Sequence, residues 1–141
     1  MRWLTAFLLM VSTGLLAVGL VGADAGSPSP SDVAAGKEIY ERCGACHSLE
    51  RDRVGPRHCG LFGRRAGSVQ GFVYSDAMRN SGIVWNRQTL DAFLADPLGT
   101  VPGTFMTYAG VQDPKERTQL LAFLEVAMRS EECEPVARGA P

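Results

Sequence analysis

Cys43, Cys46 and His47 stand together in the stretch CGACH: two thiols three residues apart, with an imidazole directly after the second. Three chemistries use such residues. A structural zinc site needs four ligands, commonly as two close pairs. The other thiols here are Cys59 and Cys133, far apart, and the one other imidazole is His58, so a second pair is missing. A redox dithiol needs its two cysteines at a helix N-terminus in a βαβ setting, which lowers the thiol pKa. This pair instead follows a predicted helix, with no strands flanking it. Covalent haem attachment needs two thiols that can each form a thioether to a vinyl group on one haem edge. It also needs a histidine beside them to offer Nε2 to the iron, and that is the C-x-x-C-H signature. The pattern fits this third chemistry best.

The ends of the chain agree. Met1-Arg2 is followed by an uncharged, apolar run from Trp3 to Gly22 and then by Ala23-Asp24-Ala25. A basic start, an apolar stretch and a small-x-small site read as a secretory signal over residues 1–25, with cleavage after Ala25 fitting best. Kept in place, the same run is long enough to span a bilayer and would act as an anchor. Export leads to an oxidising compartment, the periplasm in a bacterium, where haems of this kind are attached.

The elements that must position the motif are few and short. Residues 26–33, which include SPSPS, read as a stiff linker. A domain over 34–130 and a tail over 131–141 follow. Ser31 or Asp32 can cap a helix running to about Arg42. Ser75–Asn80 can form a short helix that stops near Gly82. Asn86 or Thr89 opens another, through Leu90, Phe93 and Leu94, ending before Pro97. Asp113 caps a last helix with Pro114 at its first position, its apolar stripe made by Leu120, Leu121, Phe123 and Leu124 and extended by Met128. Residues 47–71 and the stretch GTVPGTFMTYAG read as ordered loop. No alternating strand is evident, so the fold class is all-α, with short helices and long loops. Loops this long are uncommon in a small domain; a large buried cofactor would give them an apolar body to wrap around. The formal net charge of −1 argues against nucleic acid as a partner.

Five ordered blocks carry a resemblance: GKEIYERCGACH, VGPRHCGLFGRRAG, GFVYSDAMRNSGIVW, TLDAFLADP and VPGTFMTYAGVQDPKERTQLLAFL. From Ala34 to Met128 the chain resembles class I cytochrome c, of the bacterial kind similar to mitochondrial cytochrome c. The resemblance implies a cytochrome c fold around one haem c bound through Cys43 and Cys46, and a monomeric electron carrier rather than an enzyme. It implies His47 as proximal iron ligand, with the Pro56 carbonyl accepting from its other nitrogen, and Met106 as sixth ligand. A soft thioether favours ferrous iron and raises the potential. Arg64, Tyr74 and Trp85 match partners of the haem propionates, which need donors when buried, and Thr104 matches a hydroxyl near a propionate. Gly36 and Tyr40 match the positions where the first helix crosses the last. His58 is the alternative sixth ligand, ranked below Met106 because its loop lies on the proximal side.

The chain also departs from the family. Phe93 replaces a tyrosine and Met78 an asparagine, removing polar atoms from the distal side, and the loop between His47 and Pro56 is shorter. Cys59 and Cys133 are extra, and in an oxidising space a disulfide between them is expected. Lysines are few, Lys37 and Lys115, whereas Arg51, Arg53, Arg57, Arg64 and Arg65 crowd one loop. That loop either steers an acidic partner or is a solvated face with Arg64 turned inward. The expected partners are redox proteins: a cytochrome bc-type complex or dehydrogenase as donor, and an oxidase, reductase or reaction centre as acceptor. The rival from another class is an open-site haem protein, a peroxidase or small-ligand sensor, which requires Met106 not to bind iron.

Overall fold

The computed structural model describes residues 27–134; the expected signal segment lies outside them. Five helices follow one another: α1 (Pro30–Tyr40), α2 (Asp76–Asn80), α3 (Arg87–Ala95), α4 (Pro97–Thr100) and α5 (Pro114–Ala127). The described residues hold no strand, only an isolated antiparallel bridge between Arg65 and Val84, and the fold is all-α as expected. Among them no helix is long and apolar enough to cross a membrane.

Local chemistry explains where each helix starts. Ser29 caps α1 by accepting from the Asp32 amide, with Pro30 in the first turn, where its missing N–H costs nothing. This corrects the expected cap at Ser31 or Asp32 and moves Pro30–Val33 from the expected linker into the helix. Ser75 caps α2 by accepting from the Met78 amide. Asn86 and Thr89 form a reciprocal capping box on α3. Asp113 caps α5 ahead of Pro114. Asp96 both ends α3 and caps α4, a single turn whose last two residues, Gly99 and Thr100, fall in the stretch expected to be loop.

The helices that frame the interior are α1 and α5. They cross at Gly36, where a β-carbon would lie 2.0 Å from the Gln119 carbonyl oxygen and 2.8 Å from the Phe123 Cβ. One turn on, the Tyr40 ring packs on Phe123 at 5.1 Å. Leu120, Leu121 and Leu124 of α5 are buried against the interior together with Leu90, Phe93 and Leu94 of α3. Burying a side chain of this size stabilises by about 1.5–3 kcal/mol. The Arg117 guanidinium donates to Asp91 at 2.9 Å and Arg87 pairs with Glu125 at 2.9 Å, which sets α3 against α5.

Beyond α5 the chain turns back beneath the loop that follows His47. Cys59 and Cys133 meet there, 1% and 2% exposed, their Cα atoms 5.2 Å apart, a separation that suits a disulfide.

Candidate functional site

The C-x-x-C-H stretch continues from the C-terminus of α1 as one further turn. The Cys43 amide donates to the Tyr40 carbonyl at 2.8 Å, and the Cys46 and His47 amides both donate to the Cys43 carbonyl, at 3.0 and 2.9 Å. A closed turn over four residues brings Cys43 and His47 onto one face. Both cysteines and the histidine line a cavity of about 420 Å³, the size range of sites for large organic ligands. Burial raises the Cys43 thiol pKa, with Arg42 pulling the other way.

The His47 ring is held at several points. Its Nδ1 lies 2.8 Å from the Pro56 carbonyl oxygen. A carbonyl only accepts, so Nδ1 carries the proton and Nε2 keeps its lone pair. Gly55 lies against the ring: a β-carbon there would come within 2.2 Å of Cε1 and 2.6 Å of each nitrogen. Burial lowers the His47 pKa, with the Pro56 carbonyl working against it. Gly55 was not singled out from sequence; standing one residue before Pro56, it is forced to be small by the ring that Pro56 holds.

His58 stacks on His47, centroids 4.4 Å apart and planes 21° from parallel. Rings stacked face to face cannot bind one iron from opposite sides, so His58 does not serve as the ligand trans to His47. Its Nδ1 instead lies 2.9 Å from the Tyr40 hydroxyl. Burial pushes the His58 pKa well below the ordinary imidazole value, and the His47 ring and Arg64 push the same way. Burial also raises the Tyr40 phenol. The Tyr40 hydroxyl and His58 Nδ1 therefore share one hydrogen bond, whose donor is set by the His58 tautomer.

All nine residues expected to contact a cofactor line this one cavity. Backbone pairing accounts for part of the convergence: the Gly63 amide donates to the Trp85 carbonyl at 2.8 Å and the Trp85 amide to the Arg64 carbonyl at 2.9 Å. Trp85 is buried and packs on Phe93 at 5.2 Å. Arg64 turns inward, donating to the Cys59 carbonyl at 3.0 Å and the Arg57 carbonyl at 2.8 Å. Tyr74 is half-buried, and its phenol pKa is raised by burial against the pull of Arg64. Thr104 is buried and its hydroxyl accepts from the Met106 amide at 3.3 Å. The Met106 side chain reaches the cavity from the loop after α4, and Met78 and Phe93 add apolar surface.

Three other arginines of the loop are engaged with nearby groups. Arg57 pairs with Asp52 at 3.0 Å, Arg51 lies 3.6 Å from Glu50, and Arg53 donates to the Gly44 carbonyl. With Arg64 turned inward, the solvated-face reading suits this cluster better than a steering patch.

The donor set fits a haem. Two thiols, an imidazole with a free Nε2, a thioether and a group of phenol, indole and guanidinium donors share one largely apolar cavity. Among the described residues no cluster of three or more His, Cys, Asp or Glu side chains is placed to hold a bare metal ion.

Comparison with known proteins agrees with this chemistry. Residues 33–127 match the Cytochrome c family. The chain is 37% identical over 109 residues to cytochrome c2 of Blastochloris viridis, covering 75% of this chain and 86% of that protein. It is 43% identical over 98 residues to cytochrome c of Cochliobolus lunatus, covering 67% and 91%. The solved structure of cytochrome cH from Methylobacterium extorquens superposes with a TM-score of 0.66 at 41% identity, covering 67% of this chain and 98% of that one. The chain therefore belongs to the cytochrome c family, and is a class I cytochrome c: an electron carrier with one haem c held covalently through a cysteine pair.

Proposed function

We propose that this chain is a periplasmic one-electron shuttle, not an enzyme, with its haem joined to Cys43 and Cys46 and its iron ligated by His47 and Met106. The observation that carries the reading is the bond from His47 Nδ1 to the Pro56 carbonyl, 2.8 Å, in a cavity that Met106 also lines. When bound, the haem supplies a reversible ferric–ferrous change, and so stores one electron. Pro56 fixes the tautomer that leaves Nε2 free and raises its basicity. Met106 brings a soft sulfur that favours the ferrous state. His47 and Met106 would hold the iron through nitrogen and sulfur, which would leave no open site for a substrate. Arg64, Tyr74, Trp85 and Thr104 supply the donors that buried propionates need.

A disulfide between Cys59 and Cys133 ties the tail to the loop that carries Pro56. Residues 1–25 direct export, and an oxidising compartment suits both that disulfide and the haem linkage. Donor and acceptor are redox proteins, a bc-type complex or dehydrogenase on one side and an oxidase, reductase or reaction centre on the other. They meet a surface with few lysines and an internally paired arginine loop, so docking depends weakly on salt.

Visible spectra of the oxidised and reduced protein, with and without carbon monoxide, test the ligation. A weak far-red band from sulfur-ligated ferric iron, and no change with carbon monoxide, is the expected result. A rapid carbon monoxide shift without that band would replace this reading with an open-site peroxidase or ligand sensor.

A further inference from the structure

The His47 imidazole is braced by more than the Pro56 carbonyl. The bond to Pro56 fixes the tautomer and one vertex of the ring, and Gly55 lies against the ring, which together leave only a small residual twist. A second ring stacked on its face removes that twist. His58 supplies this ring, at 4.4 Å and 21°. His58 is in turn held at both ends. Its amide donates to the Ser48 and Leu49 carbonyls at 3.1 and 3.0 Å, and the next amide, of Cys59, donates to the Leu49 carbonyl at 2.7 Å. Its Nδ1 is hydrogen-bonded to the Tyr40 hydroxyl at 2.9 Å. Tyr40 sits at the C-terminus of α1, against Phe123 of α5. A continuous path of contact thus runs from the α1–α5 crossing through Tyr40 and His58 to the ring plane of His47.

We propose that Tyr40 and His58 are positioning residues that set the plane of the His47 imidazole over the haem, and with it the electronic state of the iron. The inference rests on His47 as an iron ligand but not on the identity of the sixth ligand. The plane of an axial imidazole determines which iron d orbital its π system meets, and supporting groups behind a ligand tune the metal through orientation. Space filling alone does not account for the pair. A hydroxyl and an imidazole buried without partners cost stability, whereas a Leu–Phe pair would fill the same volume with no hydrogen bond to satisfy. What the polar pair adds is orientation: the hydrogen bond fixes the rotation of His58, and the stack transmits it.

The test uses the ferric and ferrous holoprotein with Tyr40→Phe, His58→Leu and the double variant, and Arg129→Gln as an exposed control. Proton NMR of the ferric form reads the hyperfine-shifted haem methyls, whose order and spread report the imidazole plane; voltammetry reads the midpoint potential. Tyr40→Phe keeps the packing on Phe123 and removes only the hydroxyl, so it carries the test even if His58→Leu folds poorly. The expected result is that both single variants change the methyl pattern and the potential beyond the control, His58→Leu more than Tyr40→Phe. The double variant should add nothing to His58→Leu, because Tyr40 acts through His58. A methyl pattern and potential that stay with the control in Tyr40→Phe, or effects of the two changes that simply add, would overturn the proposal. Failure of the Met106 assignment appears separately, as carbon monoxide binding by the unaltered protein.

Discussion

Gly55 and His47 are in such close contact that no side chain can stand between them: a β-carbon on Gly55 would fall 2.2 Å from the Cε1 of the imidazole. The ring cannot simply move away, because Pro56, the next residue, holds its Nδ1 at 2.8 Å. Gly55→Ala therefore has to break the bond to Pro56 or displace the loop. We expect a loss of about 1–3 kcal/mol, typical of overpacking, together with poorer haem loading and a weaker far-red band. Haem content per chain and the ferric spectrum check this; wild-type values for both would refute the tight bracket.

Gly36→Ala tests the helix crossing. The added methyl would meet the Gln119 carbonyl oxygen at 2.0 Å, and that oxygen belongs to the α5 backbone, which cannot rotate aside. We expect destabilisation of about 3 kcal/mol, read as a drop in Tm of roughly 10–20 °C, with the spectrum of the folded holoprotein nearly unchanged. A Tm within a few degrees of wild type would mean that the helices can separate at little cost.

Met106→Ala removes the expected sixth ligand without touching the His47 bracket. The variant should lose the far-red band, bind carbon monoxide rapidly, and show a lower midpoint potential, since a thioether raises it. Retention of the band would assign the sulfur ligand to another methionine, with Met78, buried on α2 and lining the same cavity, the first to examine.

Replacing both Cys59 and Cys133 with Ser should cost about 4 kcal/mol by the loop-entropy relation, for a bridge that spans 74 residues. Thiol titration of the denatured, unreduced holoprotein is the direct check, and no reactive thiol is expected. Two would show that the cysteines remain free.

The Arg42–Glu116 pair gives a pH signature. Arg42 donates through both terminal nitrogens to the two Glu116 oxygens at 2.7 Å, joining the turn before Cys43 to α5. Hydrogen bonding from Arg42 holds the Glu116 pKa below its ordinary value of 4.5. A depressed carboxylate pKa contributes stability that is fully present above the unfolded value and is lost as pH falls through the folded one. Glu116→Gln should therefore lower Tm slightly at neutral pH, by the small amount expected of a solvent-screened pair. The difference should vanish as pH drops below 4.5. A Tm difference that persists in acid would assign the effect to packing.

The sequence by itself determined the chemistry and the frame. C-x-x-C-H names covalent haem attachment because two thiols and an imidazole at that spacing reach one haem edge and its iron. Pro114 after Asp113, and the choice of Asn86 or Thr89, announce helix starts because capping is local, decided by side chains within one turn of the amides they satisfy. For that reason α2, α3 and α5 were legible almost to the residue. The start of α1 was missed because three serines and an aspartate compete for one cap, and the choice of Ser29 depends on which amide each can reach. The single turn of α4 was missed because four residues carry no periodicity. Tertiary structure alone decided what happens behind the ligand. His58 reads in sequence as a second-ranked iron ligand on the proximal side, and only the folded loop stacks its ring on His47, within reach of Tyr40 eighteen residues earlier. The need for glycine at position 55 is likewise invisible in the chain, since it is imposed by a ring that arrives from eight residues away. Long-range contacts of this kind follow from how loops close around an interior, and no spacing rule encodes them.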